Sequence, residues 1–239
     1  GQVTPAVAKR RLGGPNDGVM SEYLCIGEHE AVRAPRHLGA EEAATLPVSA
    51  LTAWHSLFCH GTVKPGDVVM VQGAGGVSTA AVQFAAAAGA YVVSVLRDDR
   101  HAQCLQSIGA RNVVFSNTET WTVQVIEATG GRGADVVVDV VGSTLAQSIA
   151  VARVGGLVHL VGYVGSTRTS LDIFDAIRHA ATIRLATAGP RTSFEAMVRA
   201  MELHRIRPPE PQTLPVARWR EGFERLAKGG HVGKIVLTL

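Results

Sequence analysis

Val68-Val69-Met70-Val71-Gln72-Gly73-Ala74-Gly75-Gly76-Val77-Ser78, with the residues that follow to Arg97, decides the fold. Val68 to Val71 is an apolar, largely β-branched run suited to a buried parallel strand. Gly73, Gly75 and Ser78 occupy the small-residue positions of a G-x-G-x-x-G/A turn. Val77 to Ala88 has helical spacing, with Val77, Ala81, Phe84 and Ala88 on one face; Gly89 ends it, and Tyr91 to Leu96 is a second strand. This βαβ unit of about thirty residues is the context that a dinucleotide fingerprint requires. Gly73 permits the tight turn, Gly75 lets the backbone approach a pyrophosphate, and a small residue at 78 lets helix and strand pack closely. The amides opening the helix, from Gly76 and Val77 on, then face the phosphates. Ser78 stands where a third glycine is commonest, and its hydroxyl offers a phosphate one more donor.

The alternation continues outward. Helices are expected over 98–108, 119–129, 143–152 and 173–180, and strands over 112–115, 135–141, 157–161 and 182–186. Six strands alternating with helices predict an α/β, doubly wound parallel sheet, with ligands at the carboxyl ends of its strands. Upstream, Ser21 to Ile26 and Ala31 to Ala34 read as short strands, Ala40 to Leu46 as a helix, and Pro47 to Phe58 as another with proline in its first turn. Downstream the rhythm breaks. Phe194, Met197, Val198 and Met201 form one apolar stripe, Trp219, Phe223 and Leu226 a second, and Gly233 to Leu239 a last strand; both stripes read as core. Residues 46–189 are expected to form the dinucleotide-binding domain. Residues 1–45 and 190–239 are expected to form a smaller domain into which it is inserted.

Composition narrows the possibilities. Apolar residues make up 46% of the chain, enough for a core, yet no apolar run approaches the roughly twenty residues of a membrane span. A net charge of +3, with arginines scattered rather than striped, argues against nucleic acid. Cys25, Cys59 and Cys104 are widely spaced and form no C-x-x-C, which suits a reducing cytoplasm, and no signal-peptide pattern is visible. His55 and His60 read as helix-surface or loop histidines, His159 as a core histidine, and Asp135 and Asp139 as structural or solvated.

The chain resembles the medium-chain dehydrogenase/reductases, in particular their quinone-oxidoreductase-like and alcohol-dehydrogenase-like members. The resemblance rests on Asp17 to Tyr23, Leu46 to Trp54, Val71 to Ser78, Ser107 to Ala110, Gly155 to Gly162 and Gly233 to Leu237, in family order. It implies a six-stranded Rossmann domain inserted in a barrel-like (GroES-like) catalytic domain, of which residue 1 falls inside, near its end. It also implies that Thr52 stands beside a nicotinamide and that Lys234 approaches the pyrophosphate. Gly142 and Gly162 would be strand-end glycines over which the cofactor lies, with Val141, Val161 and Tyr163 lining its ribose and nicotinamide. Val48 matches the third position of a catalytic zinc site and cannot bind metal, so no zinc is expected. Thr182 to Ala186 matches the edge strand through which family members dimerise.

Cofactor choice is argued from the end of the second strand. An NAD site usually places Asp or Glu there, on the ribose 2′-hydroxyl. Here Leu96 stands at that position, followed by Arg97, with Arg100 and His101 nearby. Arg97 can pair with a 2′-phosphate, which favours NADP over NAD; Asp98 is the rival, able to reach the ribose or merely to start the next helix. The expectation is hydride transfer between NADP(H) and a small quinone, enone, carbonyl or alcohol. The alternatives are an enoyl-thioester reductase of the same superfamily and a cofactor-binding protein without redox activity.

Overall fold

The computed structural model describes residues 4, 6, 9–61 and 63–239. Strand β1 (Val68–Gln72), buried at all five positions, lies within a parallel sheet completed by β2 (Tyr91–Leu96), β3 (Asn112–Phe115), β4 (Ala134–Asp139), β5 (Ala152–Leu160) and β6 (Thr182–Leu185). The order is β3-β2-β1-β4-β5-β6. Chain direction away from the centre reverses between β1 and β4, and such a reversal opens a crevice at the carboxyl ends of the two strands.

Alternate strand residues face opposite layers. Val69, Val71, Val92, Val136 and Val138 pack with Phe84 and Ala85 of α3 (Gly76–Ala87) and with Met197 and Met201 of α8 (Arg191–His204). Val68, Met70, Val93, Val137 and Val158 pack on the other face with Trp121 and Val125 of α5 (Trp121–Ala128) and Leu145 and Ile149 of α6 (Leu145–Val151). Helix α4 (Ala102–Ser107) joins β2 to β3, and α7 (Ile173–His179) precedes β6. A two-stranded parallel sheet of β7 (Gln212–Pro215) and β8 (Ile235–Thr238) carries α9 (Trp219–Lys228). Among the described residues no helix is long and apolar enough to cross a membrane.

Three local expectations are corrected. Ser21 to Ile26 and Ala31 to Ala34 form no strands; only a 3-10 turn, Glu28–Glu30, lies between them. Val19, Met20 and Tyr23 are exposed there, and a strand without a partner edge leaves its backbone groups unpaired. The helix expected over Pro47–Phe58 breaks at its start. After α1 (Ala40–Ala44), Pro47 is extended and Val48 takes φ 63, ψ −65, so regular helix begins only with α2 (Leu51–Trp54) and continues as a wider π turn, His55–His60. The Met stripe of α8 is core, whereas Trp219, Phe223 and Leu226 of α9 are exposed. It is Gly222 that faces the small sheet, against Leu214, Ile235 and Leu237.

Candidate dinucleotide site

The chain leaves β1 at Gln72 and turns at Gly73, whose φ of +76 suits glycine. The Gly73 amide donates to the Val95 carbonyl at 2.8 Å, tying the turn to β2. Ser78 is buried, and its hydroxyl donates to the Gln72 carbonyl at 2.6 Å. That corrects the phosphate-donor role expected of it: the hydroxyl closes the turn. Gly75 is the N-cap of α3 and brings no side-chain cap, so the amides of Gly76, Val77 and Ser78 remain donors without helical acceptors. Apart from its chain neighbours, no atom of the described residues lies within 4 Å of where a Gly75 Cβ would stand. The open side of the turn and the positive end of a twelve-residue helix form a cradle for an anion.

The C-terminal loop closes on this cradle. The Gly233 amide donates to the Ala74 carbonyl at 2.9 Å. Lys234 runs across Gly76, where a Cβ would stand 2.7 Å from Lys234 Cε and 3.0 Å from Ser49 Oγ. Burial pushes the Lys234 ammonium below its ordinary pKa, and no carboxylate among the described residues pairs with it.

The end of β2 forms a second rim. Arg97 is exposed and its guanidinium makes no hydrogen bond or ion pair among the described residues. Arg100 is not free: its Nε and Nη2 donate to the two carboxylate oxygens of Asp98 at 2.9 and 2.7 Å. This pairing holds the Asp98 carboxyl down to about 2. His101 Nε2 lies 3.1 Å from the Gly230 carbonyl. His231, on the same loop, has its pKa lowered by burial and by the nearby Lys234 and His101.

The floor is set by a network around Asp139, whose structural reading from the sequence holds while the solvated one does not. Asp139, fully buried at the end of β4, accepts the amides of Val141 and Gly142, both at 2.9 Å, and the Ser148 hydroxyl at 2.8 Å. Ser148 also accepts from Gln72 Nε2 at 3.0 Å, and Thr144 donates to Gln72 Oε1 at 3.3 Å. The network joins the ends of β1 and β4, the two strands that flank the crevice. Gly142, at φ +82, would place a Cβ 2.8 Å from the Gly162 carbonyl, and a Cβ on Gly162 would overlap the Val140 carbonyl. Close approach of the two strand ends to each other therefore explains these glycines. Val141 and Val161 are half-buried and Tyr163 is exposed. An open cavity of about 190 Å³ beside them is bordered by Gly142, Val161, Gly162, Tyr163, Arg168 and Leu185.

Thr52 is buried, and its hydroxyl donates to the Val48 carbonyl rather than outward. His159 is fully buried, and among the described residues its ring nitrogens have at most a weak contact with the Ser56 backbone; burial and the nearby His60 and Arg184 push its pKa down to about 4, and Ser56 pulls it up only slightly. His55 instead reaches Ser193 Oγ at 3.2 Å. Among the described residues no three His, Cys, Asp or Glu side chains converge as metal ligands, and Val48, exposed, offers no donor atom.

A glycine turn at the topological switch of a parallel sheet, opening an uncapped helix, defines a Rossmann-type dinucleotide-binding protein. Residues 76–202 match the model of the zinc-binding dehydrogenase family. The whole chain is 35% identical to a zinc-type alcohol dehydrogenase-like protein of Schizosaccharomyces pombe and spans 71% of that relative. A solved Sinorhizobium meliloti structure, provisionally named an alcohol dehydrogenase, superimposes with a TM-score of 0.91 at 30% identity, over 95% of this chain and 67% of that one. An NAD-dependent alcohol dehydrogenase superimposes at 0.88 and 29% identity, over 95% of this chain and 67% of its own. The chain belongs to the zinc-binding dehydrogenases of the medium-chain dehydrogenase/reductase superfamily, and is an oxidoreductase of alcohol-dehydrogenase-like kind.

Proposed function

We propose that the protein transfers a hydride between NADP(H) and a small quinone, enone, carbonyl or alcohol, without zinc. The observation that carries this reading is the unpaired, half-buried Lys234 against Gly76 at the open helix start, with Arg97 free at the end of β2. Bound there, a nicotinamide dinucleotide supplies or accepts the hydride. The chain's own part is to hold and orient it. The amides from Gly76 to Ser78 and the Lys234 ammonium grip the diphosphate, and Arg97 meets a 2′-phosphate. Asp139, by fixing the Val141 and Gly142 amides, keeps the strand ends at one height. The cavity beside Gly142 and Gly162 admits a small substrate, and Tyr163 and Arg168, among its lining residues, bring a hydroxyl and a guanidinium able to polarise an oxygen.

Zinc independence is supported by Val48, an apolar residue at the position that the resemblance assigns to a third zinc ligand. Removal of metal by chelation should leave turnover unchanged. A cytoplasmic setting is supported by the three free cysteines.

The partner we propose is a second copy. Edge strand β6 is exposed along its length, and Ile183, Leu185, Ile173, Phe174 and Ile177 are exposed around it. An apolar sheet edge of this kind needs covering. A monodisperse monomer in light scattering would count against it.

The test is titration with NADPH and NADH, followed by turnover on quinones, enones, aldehydes and enoyl thioesters. Tighter NADPH binding with oxidation of NADPH by a quinone or enone supports the proposal. Turnover confined to thioesters selects the enoyl-reductase alternative, and binding without turnover selects the cofactor-binding one.

A further inference from the structure

Asp98 is the acidic group nearest the end of β2, and a carboxylate there opposes a 2′-phosphate by charge and favours a ribose diol by hydrogen bonding. We infer that Arg100 sets cofactor specificity by masking Asp98, as a positioning residue rather than a ligand of the phosphate. The inference rests on the NADP reading above.

The geometry is a closed fork. Asp98 Oδ1 accepts from the Arg100 amide at 3.2 Å and from Nε at 2.9 Å, and Oδ2 accepts from Nη2 at 2.7 Å. Both oxygens are thus engaged, and the bidentate match is the one a guanidinium makes best. The loop around Gly230 runs beside the fork. Arg100 Nη1 lies 3.2 Å from where a Gly230 Cβ would stand, and the neighbouring His101 ring reaches the Gly230 carbonyl at 3.1 Å. The charges of Asp98 and Arg100 cancel locally, while Arg97 beside them has no partner among the described residues. Asp99, also exposed, engages neither residue in a hydrogen bond. A 2′-phosphate bearing about −1.5 to −2 charge therefore meets one free cation and a neutralised pair. Without Arg100 it would meet a bare carboxylate whose oxygens are free to accept ribose hydroxyls.

The pair is largely exposed, at 61% for Arg100 and 40% for Asp98, so substitution should leave the fold intact, and an unchanged unfolding midpoint checks this. The experiment measures dissociation constants of NADPH and NADH for the full chain as wild type, as Arg100→Ala, and as Arg100→Ala combined with Asp98→Asn. Arg100→Ala is expected to move the NADPH-to-NADH preference by about tenfold or more toward NADH. The double variant is expected to return NADPH binding to within about threefold of wild type, because the unmasked charge is gone. A double variant as weak for NADPH as the single one would make Arg100 a direct phosphate ligand and overturn the inference. An unchanged preference in Arg100→Ala would overturn it as well. Wild type that favours NADH, or neither cofactor, would overturn the NADP reading and this inference together, which separates that failure from the other two.

Discussion

The stem of Lys234 lies across Gly76 so closely that a Cβ at position 76 would stand 2.7 Å from Lys234 Cε. The contact presses an unpaired ammonium against the positive end of α3, where burial lowers its pKa. A base with a depressed folded pKa costs stability at every pH where it is charged in the unfolded chain. Fold and function therefore pull in opposite directions at this residue. Lys234→Met should raise the unfolding midpoint by a degree or more while weakening dinucleotide binding by about tenfold or more, the loss of one charge-assisted contact. Thermal unfolding and calorimetry on the same preparation check both signs. Gly76→Ala should weaken binding too, by displacing the lysine.

The crevice depends equally on a residue that touches no ligand. Asp139 gathers two amides and the Ser148 hydroxyl with no exposed surface. Asp139→Ala strands all three donors, and the cost should be about 3 kcal/mol or more. Asp139→Asn keeps an acceptor for the amides and offers a donor to Ser148, which can reverse its hydroxyl; about 1–2 kcal/mol is expected. Urea unfolding measures the difference between the two variants. Turnover should fall more in Asp139→Ala than in Asp139→Asn, because only the first leaves the Val141 and Gly142 amides without an acceptor.

What the sequence disclosed and what it hid follow from the range of the forces involved. Most of the six parallel strands were legible because a short run of Val, Ile or Leu is a local signal, and Tyr91–Leu96 and Asn112–Phe115 lie where that signal puts them. The turn at Gly73 was legible for the same reason. Partner-dependent features were not. The apolar run Tyr23–Ile26 cannot reveal whether an edge exists to pair with. The periodicity of Trp219, Phe223 and Leu226 defines a face but not what it faces, and Gly222 holds the buried position instead. Ser78, Arg100 and Asp139 carry side chains whose partners are fixed only once the chain is folded. The polar ending of an otherwise apolar strand, Val138-Asp139, was the one available hint of a buried acceptor.

Away from the crevice, Asp135 clamps the opposite end of the sheet. It accepts the Val68 amide at 2.7 Å, both Arg132 terminal nitrogens at 2.9 and 2.6 Å, and Arg153 Nε at 2.6 Å. Burial raises its pKa, but Arg132, the Val68 amide and Arg153 together hold it below the ordinary value. The sign is that of a depressed carboxylate: its contribution is present above about pH 4, the unfolded value, and is lost as pH falls through the folded one. Asp135→Ala should destabilise by about 1–3 kcal/mol at neutral pH, since both arginines are part-exposed and the Val68 donor loses its partner. Cofactor affinity should not change, and a titration alongside the denaturation curve tests that separation.

His159 governs the acid limb at a higher pH. It is fully buried on β5, across from Arg184 on β6, with no more than a weak Ser56 backbone contact for its ring among the described residues. Its pKa falls to about 4 through burial first, then through His60 and Arg184. Above about pH 6.5 the ring is neutral folded or unfolded and costs nothing electrostatically. Between about 6.5 and 4 the unfolded chain takes up a proton that the folded one refuses, so stability declines as pH falls. The full shift corresponds to about 3 kcal/mol at the bottom of that window. His159→Leu removes the titrating group and keeps an apolar filling of the cavity. Its stability should fall less between pH 8 and pH 5 than that of wild type, by about 2 kcal/mol. At pH 8 the two should lie within about 1.5 kcal/mol of each other, the range of a tolerated core replacement. Chemical denaturation at the two pH values gives the comparison; parallel pH curves for the two proteins would show that the acid sensitivity arises elsewhere, with His60 and His55 the next side chains to replace.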